Sequence, residues 1–122
     1  MRLLIAIVAL AVPVVAQAEW VFVSKSDKIN YYIDPSSVEI DWGFRRVWQL
    51  QDLVQAEEGV RSRRFLAEYE CPQKRWRVLQ ISSHTESMAT GNPVVSGPQS
   101  REWEFIVPNT PGEAMYNMVC SR

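Results

Sequence analysis

The sequence predicts an α+β fold: a single antiparallel β-sheet of about six strands, covered by a C-terminal α-helix and braced by one disulfide. Three observations carry that expectation. Apolar residues recur with a period of two through most of the chain, the period of a strand with one buried face. Helical spacing of apolar residues is confined to the C-terminal tail. The two cysteines, Cys71 and Cys120, close a strand-like run and that tail.

Taken in chain order, the first segment is not part of the fold. Arg2 precedes an apolar run from Leu3 to Val15, and Ala16-Gln17-Ala18 puts small residues where a signal peptidase reads. Residues 1–18 therefore read as a secretory signal cleaved between Ala18 and Glu19. The run is shorter than the roughly 20 residues of a membrane span. Neither cysteine lies at the cleavage point, so no lipid anchor is expected. The expected product is an exported, periplasmic or secreted domain over residues 19–122, a length that suits one core. Without Arg2 it holds twelve basic residues against fourteen acidic ones, which argues against nucleic acid as a partner.

Six runs rich in aromatic and β-branched residues follow: Trp20–Val23, Ile29–Asp34, Arg45–Leu53, Ser62–Cys71, Trp76–Ser83 and Trp103–Val107. A hairpin through Glu58-Gly59 would set Trp48 opposite Ala67 and Leu50 opposite Phe65. A second, turning at Pro72–Lys74, would set Phe65 against Ile81 and Ala67 against Leu79. One face would then collect Trp48, Leu50, Phe65, Ala67, Tyr69, Leu79 and Ile81, with Gln49, Gln51, Arg64, Glu68 and Gln80 on the other. The tail offers the cover. Thr110 reads as an N-cap, with Pro111 first and Glu113 third in the helix, and Ala114, Met115, Met118 and Val119 at helical spacing. Cys71 shares the parity of the covered face, so a Cys71–Cys120 disulfide would staple helix to sheet. A reactive or metal-binding thiol pair is the alternative, disfavoured by the lack of CxxC spacing.

Between the second and third runs stands YYIDPSSVEI, residues 31–40, with hydroxyls beside carboxylates. Asp34-Pro35-Ser36-Ser37 has the composition of a type I turn, the Asp side chain accepting backbone N–H groups and Pro presetting φ. A serine nucleophile needs a base within reach, and the only histidine, His84, sits in a Ser-rich stretch with no GxSxG elbow. Asp34, Glu39 and Asp41 lack the packed spacing of a calcium loop. The expectation is a turn, no enzyme and no cofactor.

At these residues the sequence is also similar to a family. A Trp near the start of the exported domain, YYIDPSS, the R-x-V-W-x-L-x-D strand from Arg45 to Asp52, EYEC ending in Cys71, and the closing Val119-Cys120 resemble the surface-adhesin protein E family of proteobacteria. The resemblance implies a small antiparallel sheet with a C-terminal helix held by a disulfide. It also implies a non-enzymatic adhesin that binds host matrix proteins such as vitronectin and laminin. The founding members are lipid-anchored at the cell surface, and this chain lacks the lipid-bearing cysteine. The alternative is an accessory or envelope protein binding a bacterial protein or a small molecule, and after it a metal or haem carrier.

Candidate contact residues are few. Trp42, beside Gly43 in a turn, is the tryptophan expected to be exposed, and aromatics are enriched at binding hot spots. Residues 83–101, with Gly91, Pro93, Gly97 and Pro98, read as one long polar loop apart from a brief pairing at Val94-Val95, and with it His84, Met88 and Asn92 join the contact set. His84, Met88, Met115 and Met118 are soft enough for copper, but Met115 and Met118 fall on the apolar helix face, where packing explains them. Arg61, Arg63, Arg64, Arg75 and Arg77 are balanced by Glu57, Glu58, Glu68 and Glu70 and read as a solvated outer face, with a partner patch as the alternative. The expected partner is therefore a protein, of the host matrix or the envelope, with a homodimer also admitted.

Overall fold

The computed structural model describes residues 3–8, 18–94 and 99–122. Residues 9–17, which carry most of the signal segment, lie outside them; Ala18 and Glu19 are exposed and precede the first strand. The chain then forms β1 (Val21–Lys25), β2 (Ile29–Ile33), β3 (Glu39–Asp41), β4 (Phe44–Glu57), β5 (Val60–Glu70), β6 (Arg75–His84), β7 (Pro93–Val94), β8 (Glu104–Phe105) and α1 (Pro111–Cys120). All strand pairs among the described residues are antiparallel, in the order β1-β2-β4-β5-β6-β7, with β3 on β4 and β8 on β6. The six expected runs all hold strands; β3 and β7 are additional, too short to show a period.

Turn chemistry explains the connections. Glu58 and Gly59 both have positive φ, 50° and 79°, as a two-residue type I′ hairpin turn requires. Asp34 caps a 3₁₀ turn over Pro35–Ser37, its Oδ1 accepting from the Ser36 N–H at 3.1 Å and the Ser36 hydroxyl at 2.6 Å. Asp34-Pro35-Ser36-Ser37 is thus a turn between β2 and β3. Thr110 caps α1, its Oγ1 accepting from the Glu113 N–H at 3.3 Å, while Glu113 reaches back to the Asn109 N–H at 3.3 Å, one residue earlier than a capping box.

The face assignment of β4 needs correction. Val47 pairs with Ala67 and Gln49 with Phe65, so Trp48 lies opposite Leu66 and Leu50 opposite Arg64. The physical reason is an irregularity in β4 between Asp52 and Glu57, which shifts the register set by the turn and turns the β4 side chains from Phe44 to Asp52 to the other face. A second bulge changes the partner of Ala67 from Leu79 to Val78, while Phe65 does pair with Ile81.

The core accordingly comprises Ile33, Val47, Phe65, Ala67 and Tyr69 of the sheet under Met115 and Val119 of α1. Gln49 is buried there, its Oε1 accepting from the Tyr69 hydroxyl. Burial raises the pKa of that hydroxyl, which keeps it protonated as the donor. The Cys71–Cys120 disulfide, with Cα atoms 5.8 Å apart, ties the end of α1 to the corner after β5, and the Tyr116 hydroxyl donates to the Cys71 carbonyl at 2.6 Å.

The opposite face is not simply solvated. Trp103 packs beside Phe44, with the Arg75 and Arg77 guanidiniums 4.7 and 4.4 Å from its ring centroid. Glu68, expected to point to solvent, is buried between Arg46 and Arg77, each 2.8 Å away. Further along, Leu50 is buried and Arg64 lies 4.2 Å over the Trp48 ring.

Candidate functional site

The hairpin joining β3 to β4 has a two-residue loop, Trp42-Gly43, closed by the Asp41–Phe44 pair. Its first position takes φ of 54°, a conformation Gly or Asn adopts cheaply and a bulky side chain does not. Trp42 occupies it nonetheless. Gly43 is spoken for by packing: a Cβ there would meet the Pro72 ring at 3.1 Å, and its carbonyl accepts from the Cys71 N–H at 2.9 Å. The hairpin is thereby fixed to the disulfide corner.

Arg45 locks the loop from beneath. Its Nη1 donates to the carbonyls of Trp42 at 2.6 Å and Phe44 at 3.0 Å, and its Nη2 to the Arg122 carbonyl at 3.2 Å, just past the helix end. A cation there also complements the negative end of the α1 dipole. The indole itself is held out in solvent, 92 % exposed, with Ile40 of β3 60 % exposed beside it. An aromatic anchor and an aliphatic neighbour on a braced turn can enter a partner's apolar pocket with little loss of side-chain freedom. The sequence reading found Trp42 and missed Ile40 and Arg45. The signal for all three is the two-residue turn in DWGF, residues 41–44, which places Ile40 and Arg45 on its flanking strands.

The other sequence candidates lie at the far end of the sheet. His84 ends β6, pairing with Ser62, and its Nε2 is 2.9 Å from the Ser82 hydroxyl. Its Nδ1 is buried without a partner, and burial, followed by the nearby Arg64 charge, lowers its pKa. Met88 has positive φ, 56°, within a 3₁₀ turn over Ser87–Ala89. Asn92 is exposed, and its backbone closes on Thr85 through the Thr85 N–H to its carbonyl and its own N–H to Thr85 Oγ1, both at 3.0 Å.

The continuous loop expected over 83–101 is corrected here. Strand β6 runs on through His84, and β7 pairs back onto Ser83 and His84, as the brief pairing at Val94 anticipated; Val95–Pro98 lie outside the described residues. The turn between is pinned: the Met88 N–H donates to Asp52 Oδ1 at 3.0 Å, the Ala89 N–H to Ser62 Oγ at 2.9 Å, and the Ser62 hydroxyl to the Glu86 carbonyl at 2.6 Å. Sheet register separates this turn from Trp42, since Asp52 and Phe44 stand eight residues apart on β4, about 26 Å of strand. His84, Met88 and Asn92 therefore form one group and Trp42 another. Met115 of α1 packs in the core cluster, of which His84 and Met88 are not members. Among the described residues no group of three His, Cys, Asp or Glu side chains could hold a metal ion.

Comparison with known proteins agrees with this architecture. Three solved structures of Haemophilus influenzae protein E illustrate it. Crystal form II matches with a TM-score of 0.69 at 19 % identity, over 93 % of this chain and 96 % of that one. A second structure of the same protein gives 0.65 at 18 % identity, over 92 % and 91 %. Protein E from the non-typeable organism gives 0.61 at 18 % identity, over 93 % and 83 %. No curated protein sequence matches the chain. The profile described as surface-adhesin protein E matches residues 20–121, almost the whole of the expected exported domain. The chain belongs to the surface-adhesin protein E family.

Proposed function

We propose that this family member is an exported, non-enzymatic protein-binding module of the adhesin type, that it engages a host matrix protein, and that the Trp42 hairpin is its principal contact. The observation that carries the reading is the conformation of Trp42. Its backbone is in the left-handed region, where a non-glycine residue is disfavoured by roughly 1–2 kcal/mol. Its side chain is exposed and adds little to the core. A residue that costs the fold without packing in it is best explained by an external contact. Ile40 enlarges the apolar surface, and Arg45 holds the turn in one geometry before binding. Family membership supports the class of partner.

The test is a solid-phase and surface-resonance titration of the exported domain against immobilised vitronectin and laminin, with Trp42→Ala alongside. Saturable binding by the wild type is expected, weakened about thirtyfold by the substitution, the size of a hot-spot loss of about 2 kcal/mol. Thermal unfolding of Trp42→Ala should match or exceed that of the wild type. Undiminished binding by the variant would move the contact away from this hairpin. Absence of binding to any matrix protein would favour an envelope partner, and recovery from cell fractions would show whether the protein reaches the outer surface.

A further inference from the structure

We propose that the hollow between the N-terminus of α1 and the covered face of the sheet binds a small neutral aromatic molecule, of one or two rings, that carries a hydrogen-bond acceptor. The hollow measures about 250 Å³. For scale, a cavity of about 150 Å³ lined by aliphatic and aromatic side chains holds benzene. Its apolar walls come from four elements, Tyr31 of β2, Phe65 and Tyr69 of β5, Trp76 of β6 and Met115 of α1, and β4 adds polar side chains. The rings are set against one another. Tyr69 lies nearly parallel to Trp76, at 22° and 6.2 Å, and Phe65 meets Trp76 at 49° and 6.2 Å. Flat, mutually supported walls of this kind favour a flat guest through stacked and edge contacts.

Gln49 supplies the polar recognition. It is 2 % exposed and lines the hollow from β4. Its Oε1 is occupied by the Tyr69 hydroxyl, which fixes the orientation of the amide and leaves the Nε2 hydrogens as the donors it can offer a guest. A donor set in a mostly apolar hollow favours a guest whose carbonyl meets it over one of the same shape without an acceptor. The sign of the charge follows from the rest of the lining. Thr110, Pro111 and Gly112 bring the positive end of the α1 dipole to the rim, and no carboxylate lines the hollow, so a cation is disfavoured despite the aromatic walls. No lysine or arginine lines it either, so a carboxylate would be desolvated without an ion pair. A neutral acceptor fits both conditions. The site stands apart from the Trp42 hairpin, since one lies at the first turn of α1 and the other beside Arg122, past its last.

Fluorine NMR titrations of the purified protein test the assignment with three probes. The ketone 4-fluoroacetophenone is expected to bind saturably, in the submillimolar range. Its isostere 1-ethyl-4-fluorobenzene, which lacks the carbonyl, should bind about fivefold to tenfold more weakly. The cation (4-fluorophenyl)trimethylammonium should not bind. Gln51→Trp, which fills the hollow from β4, should abolish binding of the ketone, while Trp42→Ala should bind it like the wild type. Circular dichroism melts establish that each variant folds. Should Gln51→Trp not fold, Gly112→Leu is the second blocking variant, because a Cβ there meets only Thr110 Oγ1, at 3.5 Å. Failure of the ketone to saturate would overturn the site. Equal affinity for the ethyl compound would overturn the role of Gln49. Unchanged affinity in a folded blocking variant would overturn the location, and preference for the ammonium would overturn the ligand class.

Discussion

Trp42 and His84 sit in environments that work against them, one conformational and the other electrostatic. At Trp42 the left-handed backbone predicts that Trp42→Gly will raise stability, by about 1 kcal/mol, because relief of the steric strain exceeds the extra freedom glycine gives the unfolded chain. Urea unfolding measures this, and a destabilised Trp42→Gly would show that the indole packs usefully on the fold. At His84 the pKa is lowered, first by burial and then by Arg64, so the folded protein resists the proton that the unfolded chain accepts. The unfolded state therefore binds more protons as pH falls below the ordinary value of about 6.5, and stability decreases from there towards the lowered value. Above that range the contribution is fully present. Because His84 is the only histidine in the chain, His84→Gln should flatten the unfolding free energy between pH 7 and pH 5. A wild-type protein equally stable at both ends of that range would contradict the burial of Nδ1.

Among elements, the turn over Ser87–Ala89 depends on a single buried hydroxyl. Ser62, fully buried on β5, donates to the Glu86 carbonyl and accepts from the Ala89 N–H. Ser62→Ala would leave both groups without their partner, at a cost of about 1–3 kcal/mol, and should speed amide exchange at Ala89 and Met88. Unchanged exchange at those two amides would show that Asp52 alone secures the turn. This pinning was not legible in the sequence, where Gly91, Pro93 and the polar residues around them read as a loop. Local composition reports what a segment cannot form by itself, and the bonds that order this one come from strands more than twenty residues away in sequence. The β4 face failed for a related reason. Alternation was read correctly, but Arg45–Leu53 alternates acceptably in either phase, since Val47 and Gln49 or Trp48 and Leu50 can each be the inner set, and only the irregularity after Asp52 decides between them. Strand existence, the Glu58-Gly59 turn, the Thr110 cap and the helix were legible because each rests on residues adjacent in sequence. Trp42 was legible as exposed for the same reason. Gln49 was not, since its place in the core follows from the phase that the irregularity sets.

At the scale of the whole molecule, one covalent bond joins the only α-helix among the described residues to the sheet. Helix α1 packs chiefly on β1, β4 and β5, and the aromatic hollow lies at its N-terminus. Burial of Met115 and Val119 contributes roughly 1.5–3 kcal/mol each, modest against the entropy of ordering a helical tail. The disulfide offsets this by restricting the unfolded chain. With a sequence separation of 49, the chain-entropy relation gives about 4 kcal/mol. Cys120→Ser should therefore lose about 2–4 kcal/mol of unfolding free energy, with the loss concentrated in α1 exchange protection and the long β4–β5 hairpin largely retained. The bond also ties stability to compartment, because it forms and persists only under oxidising conditions. Protein produced with residues 1–18 and recovered from the periplasm should resist alkylation until reduced, whereas the 19–122 segment made in the cytosol should take up alkylating reagent at both thiols and unfold at lower temperature. Two unreactive thiols in the cytosolic product, or two reactive ones in the periplasmic product, would break the expected link between export and fold.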